Sequence, residues 1–168
     1  MAERKTVYKW FFVWDFDKEE RWLNEMALAG WVLDSVGFCR YDFVACEPGE
    51  YTVRLEMRAY DGQYMEFMEQ SGAEYIGHVL QWRYFRKKAV DGPFDIFSDI
   101  DSRVAHLNKV GTLLTAIGVM NLLIGVMNAV YGNRIGIVNL LLASLLTYGL
   151  GRIHEKEQTL SRDRQLYE

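Results

Sequence analysis

The chain holds 2 prolines, 2 cysteines and 3 histidines in 168 residues. That scarcity removes several kinds of protein. Cys39 and Cys46 are too few for a disulfide framework, bring no metal-ligand set with them, and are expected to pack as small apolar side chains. His78, His106 and His154 are dispersed and form no local metal motif. Ser35 and Ser71 have no visible histidine partner, and there is no phosphate-binding loop, dinucleotide fingerprint or nucleophile elbow. The expectation is a protein that is not an enzyme and uses no cofactor. A formal net charge of -4 gives no concentrated basic surface, so no direct nucleic-acid partner is expected. The N-terminal MAERKTVYKW lacks an isolated apolar core and a small-residue cleavage site, so no secretory signal is expected there.

Charge is also missing, locally, from two stretches near the C-terminus. Residues 110–131 (VGTLLTAIGVMNLLIGVMNAVY) contain no charged side chain, and IGIVNLLLASLLTYGL follows after Gly132, Asn133 and Arg134. The first is long enough to cross a hydrocarbon core, and the second reaches that length through Gly151 toward Ile153. A two-helix transmembrane hairpin is the expected reading, in preference to a buried soluble helix pair. Lys87, Lys88, Arg103 and Lys109 precede it, Arg152, Lys156, Arg162 and Arg164 follow it, and the loop carries only Arg134. That bias predicts a cell-membrane protein with both termini cytoplasmic. Gly118, Asn121, Gly125, Asn128 and Gly132 recur at helical spacing, and Gly136, Asn139, Ala143, Thr147 and Gly151 form a looser face on the second helix. Small and amide side chains on one face predict close packing of the two helices, with homo-oligomerisation or a membrane-protein partner as further uses. No acidic or basic residue lies inside either helix, which argues against a conducting pore.

Upstream the pattern changes. Val7, Lys9, Phe11 and Val13 alternate with Tyr8, Trp10, Phe12 and Trp14, reading as a first strand with large residues on both faces. A central or doubly covered strand is expected; an exposed aromatic binding face is the alternative. Asp17 with Glu20 predicts a capping box, followed by a helix that buries Trp22, Leu23, Met26 and Ala27, leaves Lys18, Glu19, Arg21 and Glu25 wet, and ends at Gly30. Strands are expected after Trp31, at Tyr41–Phe43 and from Tyr51, where Tyr51, Val53, Leu55 and Met57 alternate with Thr52, Arg54, Glu56 and Arg58. Arg54, Glu56 and Arg58 are a candidate interaction surface, or simply a wet strand face. A short helix through Tyr64, Phe67 and Met68 should end near Gly72, with strands over 75–79 and 81–87.

An internal repeat appears when Met26–Gly30 is laid over Met68–Gly72. Phe43 then falls on Phe85, while Phe11 and Val13 fall on Val53 and Leu55. Each half reads β-α-β-β. The expected fold class is therefore α+β: a repeated β-α-β-β head over 1–90, with a ferredoxin-like arrangement plus added strands as the leading topology. An amphipathic connector over 91–109, the hairpin over 110–153 and a cytoplasmic tail over 154–168 complete the division.

The stretches WDFDKEERWLNEMALAGW, RYDF, EYTVRLE and WRYFRK, followed by a paired membrane segment, resemble an uncharacterised bacterial family, domain-of-unknown-function family 2812. Trp22-Leu23-Asn24-Glu25-Met26 with Gly30-Trp31, and Trp82-Arg83-Tyr84-Phe85, are its most specific segments here. The resemblance brings no catalytic residues. Members often stand beside PadR-like regulators, which implies a role in membrane-linked regulation or stress sensing. The expected function is a membrane-anchored adaptor or sensor whose head binds a protein or small ligand. The alternative is an accessory subunit of a membrane transporter or membrane enzyme complex.

Overall fold

A computed structural model describes residues 3–167, with side chains described through residue 162; Asp163 and Arg164 of the expected cytoplasmic tail lie outside the described side chains. The chain divides after Ile96 into two compact units.

The first unit is a mixed α+β head. Its elements are β1 (Arg4–Tyr8), α1 (Phe16–Leu28), β2 (Trp31–Gly37), β3 (Arg40–Ala45), β4 (Tyr51–Met57), α2 (Gly62–Gln70), β5 (Glu74–Val79) and β6 (Trp82–Lys88). They form two antiparallel three-stranded sheets, ordered β1-β3-β2 and β4-β6-β5. In each, the last strand of a β-α-β-β unit inserts between the other two. Gly30 and Gly72 end the two helices at positive φ, +86° and +83°, where a Cβ would be strained. The same shift that carries Gly30 onto Gly72 carries the irregularity between Leu33 and Ser35 onto that between Tyr75 and Gly77. The duplication therefore extends to local backbone detail. The first strand is its exception: β1 ends at Tyr8 opposite Arg40, while β4 ends at Met57 opposite Trp82. Arg4 and Thr6, rather than Phe11 and Val13, therefore occupy the counterparts of Val53 and Leu55. Residues 9–12 leave the strand, and Val13–Asp15 forms a 3-10 turn.

That turn also alters the start of α1. Asp15 is the N-cap, without a side-chain cap bond, and pairs with Lys18 at 2.7 Å. The Asp17–Glu20 capping box does not form. Glu20 turns instead to β4, where its carboxylate accepts from Leu55 N–H at 3.2 Å and from the Arg54 guanidinium. Asn24, one helical turn on, accepts from Val53 N–H and donates to Val53 C=O, both at 2.9 Å. β4 is an edge strand, and unpaired edge groups invite foreign strands. α1 closes that edge with side chains two residues apart along it. The head's most buried side chains are Leu23, Leu33, Phe43, Val53, Leu55 and Phe85.

Asp61 caps α2 by accepting from the N–H groups of Gln63 and Tyr64. Met68, Ala73, Phe85 and Phe94 then form a buried cluster beneath it.

The second unit holds two long helices, α3 (Ile100–Val130) and α4 (Ile135–Tyr167). Asp99 starts α3 with a capping box to Ser102. α3 runs unbroken from the expected connector into the first apolar stretch, and α4 continues past Ile153 into the expected tail. Both are long and apolar enough to cross a membrane. Leu122, Leu123, Val126 and Met127 of α3, and Leu141, Leu142 and Leu145 of α4, remain exposed. A soluble helix pair would bury such residues; hydrocarbon solvates them. These helices place the chain among multi-pass membrane proteins.

Replacing Asn24 with Ala should remove the bonds to both backbone groups of Val53 and lower head stability by about 1–3 kcal/mol. Urea unfolding of the detergent-solubilised full chain, followed by tryptophan fluorescence, measures this; an unchanged midpoint would mean that water replaces the amide without loss.

Candidate functional site

Glu19 stands on the same α1 stripe as Leu23 and Ala27, one helical turn apart each time, and these are the buried residues of the helix. It was expected to be wet, yet only 8% of it is exposed. Tyr41 of β3 and Tyr84 of β6 both donate to its Oε1, at 2.7 and 2.6 Å. β3 and β6 are the central strands of the two sheets, so both halves of the duplication converge on one carboxylate oxygen. Among the described residues no cation pairs with Glu19, and Oε2 receives no hydrogen bond.

Burial raises the Glu19 carboxyl above its ordinary value of 4.5, against the opposing pull of the Tyr84 and Tyr41 hydrogen bonds. Burial first, and then the Glu19 charge, push both phenols far above their usual range. Aromatic rings line the surroundings. Trp22 meets Tyr41 edge-on at 5.0 Å and Phe43 at 5.7 Å; Phe11 lies 5.6 Å from Trp22, and Phe16 5.3 Å from Trp82. A largely buried carboxylate among rings, with one oxygen reached by solvent, suits recognition of a positively charged or donor-bearing group. The spacing of Glu19, Leu23 and Ala27 was the signal available in the sequence. What it lacked was the partners, since Tyr41 and Tyr84 reach Glu19 only through the packing of both sheets.

Arg54, Glu56 and Arg58 do not share an open wet face. Arg54 pairs with Glu20 at 3.2 Å, while Glu56 is 3% exposed and pairs with Arg58 at 3.1 Å. The Arg58 guanidinium also lies 3.8 Å from the centre of the Tyr64 ring, and burial followed by the neighbouring Glu56 raises the Tyr64 phenol. Arg83 donates to the Arg58 carbonyl at 3.1 Å. The three residues thus divide between two internal networks, leaving Arg54 and Arg58 half-buried. Among the described residues no three His, Cys, Asp or Glu side chains gather as a metal set. Cys39 and Cys46 are free thiols.

In the hairpin, Asn139 donates to Asn121 Oδ1 at 3.1 Å, and Asn121 donates to its own helix at Ile117 C=O. Asn128 bonds Ile124 C=O and accepts from Asn133 in the loop. Thr147 bonds Ala143 C=O, and Ala143 is buried. These bonds satisfy polar groups where water is absent. Gly118 faces the Leu146 side chain at an ordinary distance. Gly125 and Gly136 are tighter: a Cβ on Gly136 would stand 2.7 Å from Gly125 C=O and 2.9 Å from Ala129 N, both backbone atoms.

With this geometry in place, comparison with known families adds one result. The family described as protein of unknown function DUF2812 matches residues 15–119. The chain belongs to DUF2812. The matched span runs from the start of α1 into α3, and it contains Glu19, Tyr41 and Tyr84 as well as Glu20, Asn24 and their β4 partners. No curated protein matches the chain, and no solved structure does.

Two outcomes follow for this DUF2812 member. Because the folded carboxyl of Glu19 holds its proton more tightly than the unfolded one, its contribution to stability is fully present below pH 4.5 and fades as pH rises through the raised folded value. Glu19→Gln should flatten that part of the stability–pH curve, measured by urea unfolding between pH 4 and pH 8. In the membrane, Gly136→Leu should force the helices apart, because overpacking against backbone costs about 1–3 kcal/mol. Disulfide formation between cysteines introduced as Gly118→Cys and Leu146→Cys, with Cys39 and Cys46 changed to Ser, should then fall sharply. Undiminished cross-linking would show that the helices accommodate the larger side chain.

Proposed function

We propose that this DUF2812 protein is a non-enzymatic, membrane-anchored sensor or adaptor whose cytoplasmic head binds a small ligand or a soluble protein. The observation that carries the reading is the Glu19 cluster. Two structural halves supply donors to one buried carboxylate oxygen and leave the other without a donor among the described residues. Holding a largely buried carboxylate without a cation is costly for a site whose only task is packing. It is an intelligible arrangement where an incoming group completes the site. The location of Glu19 between the halves gives binding a route to shape: a ligand drawn to Oε2 would bear on α1, and α1 holds the edge of β4 through Glu20 and Asn24.

The flanking positive charges support cytoplasmic placement of both termini. The hairpin then supplies location, and the resemblance-based association with PadR-like regulators makes transcriptional regulation the natural process served. The order β1-β3-β2, repeated as β4-β6-β5, supports reading each half as a split β-α-β unit of ferredoxin-like kind.

The test is cross-linking of the full-length protein in its native membrane, gentle solubilisation and identification of what is retained, beside Glu19→Gln and an Asn121→Leu/Asn128→Leu variant. A soluble protein or small molecule retained by the parent and by the asparagine variant, but lost from Glu19→Gln, is the expected result. A transporter or membrane enzyme kept by Glu19→Gln and lost from the asparagine variant would replace this reading with the accessory-subunit one.

A further inference from the structure

The stretch after β1 carries a feature that the Glu19 site does not use. Lys9 N–H donates to Cys39 C=O at 3.0 Å, which prolongs the β1–β3 contact past Tyr8. Side chains alternate about that line. On one side, the Lys9 ammonium lies 4.4 Å from the centre of the Trp22 ring and 5.0 Å from that of Phe11, so α1 covers this face. On the other side stand Tyr8, Trp10 and Phe12, with Phe38 from the β2–β3 turn. Trp10 meets Phe38 edge-on at 5.7 Å and Phe12 at 6.0 Å. Yet Tyr8 is 75%, Trp10 58% and Phe38 71% exposed. The stretch expected as a central strand is thus an edge strand only as far as Tyr8, continued by an extended segment with an uncovered aromatic face.

We infer that this face seats in the headgroup layer of the bilayer that holds the hairpin. Two observations select lipid as its occupant. Trp and Tyr are the residues that favour the membrane–water interface, where an apolar ring and a polar tip are both accommodated. Beside this stretch Arg4 pairs with Asp34 and Arg40 with Asp42, while Lys5 and Lys9 alternate to the other side. Finally, only Phe97, Ser98 and Asp99 join Ile96 to the start of α3, so chain length alone keeps the head within reach of a bilayer. A short tether makes lipid contact an intramolecular event at high effective concentration, which no freely diffusing partner enjoys. This seating is independent of whether Glu19 binds a ligand.

Tryptophan placement provides a clean test. All five tryptophans, Trp10, Trp14, Trp22, Trp31 and Trp82, belong to the head, and neither apolar helix contains one. Quenching by brominated lipid therefore reports contact between head and lipid. Full-length protein is placed in nanodiscs of phosphatidylcholine with phosphatidylglycerol, brominated near the headgroup end of the acyl chain or unbrominated. The expected result is partial quenching of the parent, most of which disappears in Trp10→Phe. Phe38→Ser, which keeps Trp10 as reporter, should weaken quenching. An unquenched parent, or a Trp10→Phe variant quenched as strongly as the parent, would overturn the inference. So would ready Cys39–Cys39 cross-linking in discs holding two copies together with loss of quenching, because a second copy would then cover the face.

Discussion

One helix face holds the head together. α1 meets the second half of the duplication with polar side chains, where a helix packed on a sheet ordinarily offers aliphatic ones. Asn24 and Glu20 reach the backbone of β4 at Val53 and Leu55, and Glu19 receives Tyr84 from β6. Each contact satisfies a group that would be expensive to bury alone. Together they fix where the second sheet begins relative to the first helix. The apolar contacts of Leu23 and Ala27 supply burial without choosing a register; the hydrogen bonds supply the register. The same face carries the candidate site, so binding at Glu19 would act on the groups that join the two halves.

The two units solve the same problem in different solvents. In the head, backbone groups at an exposed edge are closed by side chains from α1, and the Leu33 carbonyl beside the β2 irregularity is taken by Arg86 at 2.9 Å. In the hairpin, helical backbone needs no such help, and the polar side chains become the difficulty. Asn121, Asn128, Thr147 and Ser144 bond the carbonyls of preceding turns, and Asn139 reaches across to Asn121. Gly136 permits that approach because backbone atoms of Gly125 and Ala129 stand where its Cβ would lie, and Gly125 because the Leu140 side chain does. Water competes for such bonds in the head; hydrocarbon cannot.

Much of the architecture was legible in the chain. The uncharged run after Val110 announces membrane helices because few soluble environments bury that many consecutive apolar side chains. Gly30 and Gly72 mark helix ends by a conformational requirement of their own, and the repeat they anchor follows from local sequence. The first strand misled because alternation of large residues records two faces without saying what covers either. Trp10 and Phe11 look alike in sequence, but only Phe11 has α1 above it. The polar face of β4 misled for a related reason. Glu56 alternates correctly for solvent, yet Arg58 and Tyr64 enclose it.

The sequence by itself determined the α+β head, its duplication and the two membrane helices, since these arise from periodicity, glycine positions and uninterrupted apolar length. The tertiary structure alone decided that Glu19 is buried, that Glu20 and Asn24 serve an edge strand, and that the aromatics of residues 8–12 divide into a covered and an open face. Those outcomes depend on groups distant in the chain, with Tyr84 far from Glu19 and Phe38 far from Trp10. Local pattern encodes how a segment curls; only packing brings together the partners that determine the environment of each charge and ring.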